Sequence, residues 1–365
     1  MRNMPKISVV LAVYNGERDI RPSVESVLAQ TYKDFEFIIV NDASTDATLS
    51  VLSSYKDPRL IICNNDKNIG QTSSLNAGLR IARGEYIARI DSGDISVPER
   101  FLNQVHYLDK HPDVDILGTA AFQYDVAGNF RGNVYMSNRP KTILQRIIFS
   151  CPVIHISVMM RRVRVLQLGG YNESYRILAD YGLWAKALQN GCIFSNLGAV
   201  LAGYVVNPDS FGYSHGRGRS VQEAAKIIQE TAKNMTGMEL CLDQTEHLYR
   251  FFVFGPQEMD SEWMLKTEFL YETLMRKLHI PSRDIDYQLV KYYLKALNGK
   301  QHLPSAQNNM PKYIMSRICS RLGGCTSSLL FEDLIQSMFF TRRKSFCTKD
   351  ALRIYKRLMN TNNSP

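Results

Sequence analysis

The sequence predicts an α/β fold: a mostly parallel central sheet flanked by helices, followed by a helical C-terminal region. Three observations predict it. Apolar, β-branched runs alternate with helix-period segments through the first hundred residues. Polar loops follow those runs at 14–19, 41–46 and 91–94. In doubly wound sheets such loops gather ligands at the carboxyl ends of the strands. From about residue 216 onward most segments carry helical periodicity, with polar breaks at 298–311 and near 322–326.

The elements follow in order. Residues 7–13, Ile-Ser-Val-Val-Leu-Ala-Val, form the continuous apolar run of a strand buried on both faces. Residues 18–31 are helical, with Ile20, Val24, Val27 and Leu28 in phase and Pro22 in the first turn. Phe35–Val40 is the next strand. A helix starts near Ala47, with Ser44 or Asp46 as its cap. Leu60–Cys63 is a short third strand, 71–83 a helix closed by Gly84, and Tyr86–Ile90 a fourth strand. Beyond it the pattern loosens. A helix is expected at 98–110, a strand near 114–121, and a hairpin at 122–136 turning at Ala127-Gly128-Asn129. Further helices are expected near 141–148, 161–167 and 180–189.

The chain has 365 residues, 45% hydrophobic and 22% charged. That balance excludes a disordered, collagen-like or disulfide-scaffold protein. The length suits two domains, expected at 1–212 and 213–365. No run of 18 apolar residues is present, so no membrane-spanning helix is expected. The first residues resemble a weak signal peptide. The apolar run stops at Tyr14-Asn15-Gly16 without a small-residue cleavage site and reads as a strand. Seven cysteines at irregular spacings, with no Cys-x-x-Cys, suit reduced thiols of a cytosolic protein.

The net charge of +9 is uneven. Residues 291–365 hold 13 basic and 3 acidic side chains, a net +10, which leaves −1 for the rest. A basic tail suits an anionic partner: a membrane surface, a nucleic acid or an acidic glycan. No nucleic-acid-binding motif accompanies it, and none is expected as a partner. Residues 348–359 read as an amphipathic helix, with Leu352, Tyr355, Leu358 and Met359 opposite Arg353, Lys356 and Arg357. That pattern suits either an anionic lipid interface or packing against the helical region.

Dinucleotide and P-loop fingerprints are absent: the first loop reads Tyr-Asn-Gly-Glu-Arg-Asp. Asp42, after the second strand, has the chemistry to accept from a nucleobase N–H, or to form a turn or helix cap. Asp91 and Asp94, at the end of the fourth strand, read as carboxylates for Mg²⁺ or Mn²⁺ against a diphosphate, or as an ordinary polar turn. Arg217 and Arg219, on the glycine-rich stretch Tyr213–Ser220, read as a diphosphate clamp or a linker.

Three segments in order carry a specific resemblance: ISVVLAVYNGERDIRPSVESVLAQTYKDFEFIIVNDASTD, NIGQTSSLNAGLRIARGEYIARIDSGDISVPERF and HISVMMRRVRVLQLGGYNESYRILADYGLWAKAL. Over residues 5 to about 210 the chain resembles the family 2 glycosyltransferases. The resemblance implies the GT-A fold and an inverting transfer of a sugar from a nucleotide-sugar, most often a UDP-sugar, to a glycan hydroxyl. It implies that Ala12, Tyr14, Asn15, Glu17, Asp42 and Asp91 line the nucleotide, and that Asp91 and Asp94 hold a divalent metal. Asp180 matches the catalytic base. His155, Trp184, His215, Arg217 and Arg219 are candidates for diphosphate or acceptor contact.

The chain departs from the family pattern at three places. Gly93 replaces the carboxylate most often used for the metal, so Asp91 and Asp94 share the ion or metal dependence is weak. Ala179 replaces an acidic neighbour of the base, and Asn207 stands where a histidine is common, with His215 eight residues on. The expectation is a glycosyltransferase of surface-polysaccharide synthesis, cytoplasmic or peripheral on the inner membrane face, with a glycan or lipid-linked glycan acceptor. The alternative is a non-catalytic nucleotide-sugar-binding partner subunit on the same fold. A glycosidase fits less well, because it would leave the nucleotide-pocket motifs without a role.

Overall fold

Strands β1 (Ile7–Val13) and β2 (Phe35–Asn41) are buried at every position. A strand apolar on both faces needs cover on both faces. Helices α1 (Ile20–Leu28), α2 (Thr48–Ser53) and α3 (Gln71–Ile81) connect the first strands and supply it. Strands β3 (Leu60–Asn64) and β4 (Tyr86–Arg89) complete a parallel half in the order β3-β2-β1-β4. The computed structural model describes residues 4–206, 217–254, 261–281, 285 and 289.

The second half of the sheet is mixed. Its elements are β5 (Ile95–Ser96), α4 (Arg100–Lys110), β6 (Ile116–Asp125), β7 (Phe130–Val134), α5 (Pro140–Ile147), β8 (Met159–Arg161), α6 (Arg162–Gln167), α7 (Ala179–Gln189) and β9 (Phe194–Val206). The order continues β4-β8-β6-β9-β5, with β7 hydrogen-bonded to β6, for nine strands. Strand β8 runs antiparallel to β4 and β6, and β9 runs parallel to β6. The expected hairpin is the β6–β7 pair. Strands β5, β8 and β9 were not expected from the sequence.

Packing around β1 is close. The main cluster joins Val9, Leu11, Phe37, Ile39, Tyr86, Phe101 and Leu117, each 0% exposed. Gly84 meets β1 so tightly that an added Cβ would lie 2.4 Å from the Ser8 nitrogen. Beside it, buried Glu36 accepts from the Ser8 hydroxyl at 2.7 Å and from the Arg83 backbone N–H at 2.8 Å.

The expected boundary at residue 212 falls outside the described residues. The chain divides between Asn234 and Met235. Helix α8 (Arg217–Thr236) belongs to the first unit through almost its whole length. In the second unit the described elements are α9 (Leu242–Tyr249), a π-helical turn at Arg250–Phe254 and α10 (Ser261–Lys277). The segment 348–359 lies outside the described residues. No described helix is long and apolar enough to cross a membrane.

Candidate active site

The three polar loops meet at the carboxyl ends of β1, β2 and β4. With the 68–73 and 173–176 segments they enclose a cleft of about 900 Å³. Ala12, Tyr14, Asn15, Asp42 and Asp91 all line it. Tyr14 is half exposed at its surface.

The first wall is laced across two loops. Asn15, at φ 52°, donates its backbone N–H to the Ser44 hydroxyl, and its side-chain oxygen accepts from Thr45 N–H. Gly16 N–H donates to the Thr48 hydroxyl at 2.8 Å. Glu17 differs from expectation. Its carboxylate accepts from Ala47 N–H at 2.9 Å, so it braces the start of α2 and does not line the cleft.

Asp42 is buried, and its carboxylate shapes the next wall. One oxygen accepts from Asn65 Nδ2 at 2.8 Å and Ile69 N–H at 2.9 Å; the other accepts from Gly70 N–H at 2.8 Å. Those bonds fold the 65–70 loop into the cleft, just before the first turn of α3. A helix N-terminus there favours a bound anion. Arg176 adds a cation to the lining from the far side.

Asp91 accepts from Gln71 Nε2 at 3.0 Å and is ion-paired to the buried Arg89 guanidinium. Burial alone would raise its carboxyl. Arg89, His155 and the two hydrogen bonds outweigh burial and hold it below the usual range, so Asp91 is ionised. Asp94 corrects the expectation of a metal pair. It is 5% exposed, outside the cleft lining, and accepts a backbone hydrogen bond from Val205. Burial, then the Asp91 charge, push its carboxyl well above the usual range. The physical reason is Gly93, whose φ of 94° turns the chain so that Asp94 enters the interior. Among the described residues no group of three His, Cys, Asp or Glu is arranged for a metal. Of the expected pair, Asp91 lines the cleft and Asp94 does not.

His155 lies in a 3-10 turn before β8. Its Nδ1 lies 4.0 Å from an Asp91 oxygen, and its Nε2 is 2.8 Å from the Tyr171 hydroxyl. Burial, then Arg89, lower its pKa against the pull of Asp180 and Asp91, so the ring is neutral at pH 7. Asp180 stands in the first turn of α7. One of its oxygens accepts from Tyr181 N–H at 2.8 Å, and the other faces the Cys151 thiol at 3.4 Å. Burial, then the Asp180 charge, push that thiol well above its ordinary pKa, so Cys151 remains a neutral donor.

Trp184 lies in the core. It is 0% exposed and packs edge-on to His155 and Phe194, with ring centroids 6.0 and 6.2 Å away. It packs against His155 on the inward face of α7. Arg219 is ion-paired to Glu223 at 3.1 Å and is not among the cleft residues. Arg217 opens α8, with its side chain outside the description, and His215 and Asn207 lie outside the described residues. Sequence reasoning missed Arg176, Gln71, Tyr171, Cys151 and Glu223. A basic residue four positions before Asp180 was the only sequence signal among them.

A family profile described as Glycosyl transferase family 2 matches residues 8–168. EpsE of Bacillus subtilis is 35% identical over 215 residues, 58% of this chain and 76% of that protein. WfaP of Escherichia coli is 30% identical over 207 residues, 57% of this chain and 80% of that protein. Its description is UDP-Glc:alpha-D-GlcNAc-diphosphoundecaprenol beta-1,3-glucosyltransferase. The chain belongs to the family 2 glycosyltransferases and is a transferase enzyme. Its fold is GT-A: the Staphylococcus aureus TarS structure with UDP-GlcNAc superposes with a TM-score of 0.56 at 20% identity. That likeness covers 87% of this chain and 89% of that one.

Proposed function

We propose that the protein transfers a sugar from a UDP-sugar to a hydroxyl of a growing, lipid-linked surface glycan, with inversion at the anomeric carbon. One observation carries the reading: a single cleft at the strand ends is lined by Ala12, Tyr14, Asn15, Asp42, Asp91 and Arg176, and His155 Nδ1 lies 4.0 Å from the Asp91 carboxylate. Asp180 is not among the lining residues, and its charge acts on the same histidine. The UDP-glucose donor and diphosphoundecaprenol-linked acceptor of WfaP, and the UDP-GlcNAc complex of TarS, support the donor and acceptor classes.

In this reading Ala12, Tyr14, Asn15 and the Asp42-braced 65–70 loop hold the nucleoside. The first turn of α3 and Arg176 face the diphosphate and stabilise its developing charge. Asp180 accepts the proton of the acceptor hydroxyl as that oxygen attacks the anomeric carbon. The nucleoside diphosphate leaves from the opposite side, so one displacement inverts the centre. His155, neutral and hydrogen-bonded to Tyr171, orients the space between Asp91 and Asp180. A divalent ion, when bound, would be held by Asp91 and supply charge neutralisation at the leaving group.

The test is calorimetry of UDP, GDP and dTDP, each with Mn²⁺ and with EDTA, alongside a transfer assay on Asp180→Asn. The expected result is tightest binding of UDP, weakened by EDTA. Asp180→Asn should bind UDP normally and lose transfer by about 10²–10⁴-fold. Transfer at the wild-type rate in Asp180→Asn overturns the base assignment. Nucleotide binding without transfer in the wild type favours the partner-subunit reading, and absence of any nucleotide binding overturns the donor-site reading.

A further inference from the structure

We propose that Glu223 is the positioning residue that sets the Arg176–Asp180 segment against the nucleotide cleft. The proposal rests on the reading of Asp180 as the base.

Glu223 lies on α8, and its carboxylate is 8% exposed. One oxygen accepts from Arg176 N–H at 3.0 Å and from Arg219 Nε at 3.1 Å. The other accepts from Ile177 N–H at 3.0 Å and Leu178 N–H at 2.9 Å. Three consecutive backbone N–H groups thus converge on one anion. That geometry is a nest, and its bonds are charge-assisted. Burial would raise the Glu223 carboxyl; the three N–H groups and Arg219 outweigh it and hold the carboxyl low, so the charge is present at pH 7. The nest immediately precedes α7, whose N-terminal dipole adds to the attraction.

The location of this charge is what points to the site. Upstream, the same loop is pinned by α3: Asn76 exchanges hydrogen bonds with Tyr171 N–H and C=O, both 2.9 Å, and the Thr72 hydroxyl donates to Tyr175 C=O. Downstream lies Asp180. Glu223 is the second clamp: it holds 176–178, just beyond the residues that α3 holds. Arg176, whose amide it fixes, lines the cleft. Misplacement of a reacting group by about 1 Å costs about 10²-fold in rate. Arg219, read from the sequence as part of a diphosphate clamp or a linker, is the counter-ion of this clamp.

The experiment uses the full chain with Glu223→Gln, which keeps the shape and removes the charge, and Glu223→Asp, which is too short to reach all three amides. Hydrogen exchange of amides 176–178, UDP release from UDP-glucose, UDP-galactose and UDP-N-acetylglucosamine, UDP affinity and thermal midpoint are measured together. In Glu223→Gln the 176–178 amides should exchange at least ten-fold faster, with those of α3 unchanged. Turnover of the best donor should fall at least ten-fold well below the melting temperature, with UDP affinity within about three-fold. Glu223→Asp, the gentler variant if Gln prevents folding, should shift both readouts less. Unchanged exchange removes the clamp. Faster exchange with unchanged turnover leaves Glu223 structural only and overturns the positioning role. Asp180→Asn in parallel separates the two claims: if it retains turnover, the base reading fails while amide exchange still decides the clamp.

Discussion

Asp42 and Glu36 are both buried carboxylates, and both hold backbone in place. Asp42 gathers Asn65, Ile69 and Gly70. Asp42→Ala takes the acceptor from Ile69 N–H, leaves Asn65 Nδ2 with Ser74 Oγ and Gly70 N–H with Asn68 Oδ1, and releases one wall of the cleft. We expect UDP affinity to fall at least ~10-fold, about 1.4 kcal/mol, and stability to fall by about 1–3 kcal/mol; calorimetry and denaturant titration read the two. Glu36 accepts from Ser8, the Arg83 N–H and the Arg83 guanidinium. Burial raises its carboxyl, and those bonds together bring it below the ordinary 4.5. A depressed carboxylate contributes stability that is fully present above the unfolded value and lost as pH falls through the folded one. Wild type should therefore lose stability below about pH 4.5, and Glu36→Gln should show a flatter acid limb from a lower plateau at pH 7. Equal acid slopes in the two proteins would contradict this. Asp42 and Asp91 were legible in the sequence because strand ends advertise themselves. Asp94 was not, because only the positive φ of Gly93 decides that it turns inward.

Among the elements, β1 to β4 and α1 to α3 were readable because the apolar runs of the strands, fully buried in β1, β2 and β4, alternate with helix-period segments. In the second half the helices and the β6–β7 hairpin were readable, and β5, β8 and β9 were not. Strand β5 has two residues and β8 three, too few for any periodicity. Strand β9 changes register against β6 at Thr119/Ala120 and Ala120/Ala121, which breaks its alternation. Glu223 was invisible for a related reason: it meets its partners across 45–47 residues. The junction of α3 with β1 is the least forgiving. In Gly84→Ala the new Cβ would lie 2.4 Å from Ser8 N and 2.6 Å from Ile7 C, and neither backbone atom can retreat. A loss of about 1–3 kcal/mol is expected from the denaturation midpoint. A midpoint equal to wild type would mean that the strand–helix junction relaxes freely.

For the whole molecule, the charge asymmetry is the strongest feature that the catalytic reading leaves unused. The tail from 291 carries a net +10. If it meets anionic lipid, each cation near the surface contributes about 1 kcal/mol. The full chain should then pellet with vesicles containing phosphatidylglycerol, and a chain truncated near 327 should pellet less, with binding lost at high salt. Equal pelleting would assign the basic tail another partner. The lacing of the 14–17 loop to the 44–48 loop has a kinetic meaning as well. Five hydrogen bonds, from Asn15, Gly16, Glu17, Thr45 and Ala47 backbone N–H groups, hold that wall before any ligand arrives. A nucleotide meeting a finished surface has little ordering entropy left to overcome. Stopped-flow mixing with UDP should therefore give a single exponential whose rate rises linearly with concentration, without the plateau that a slow rearrangement imposes.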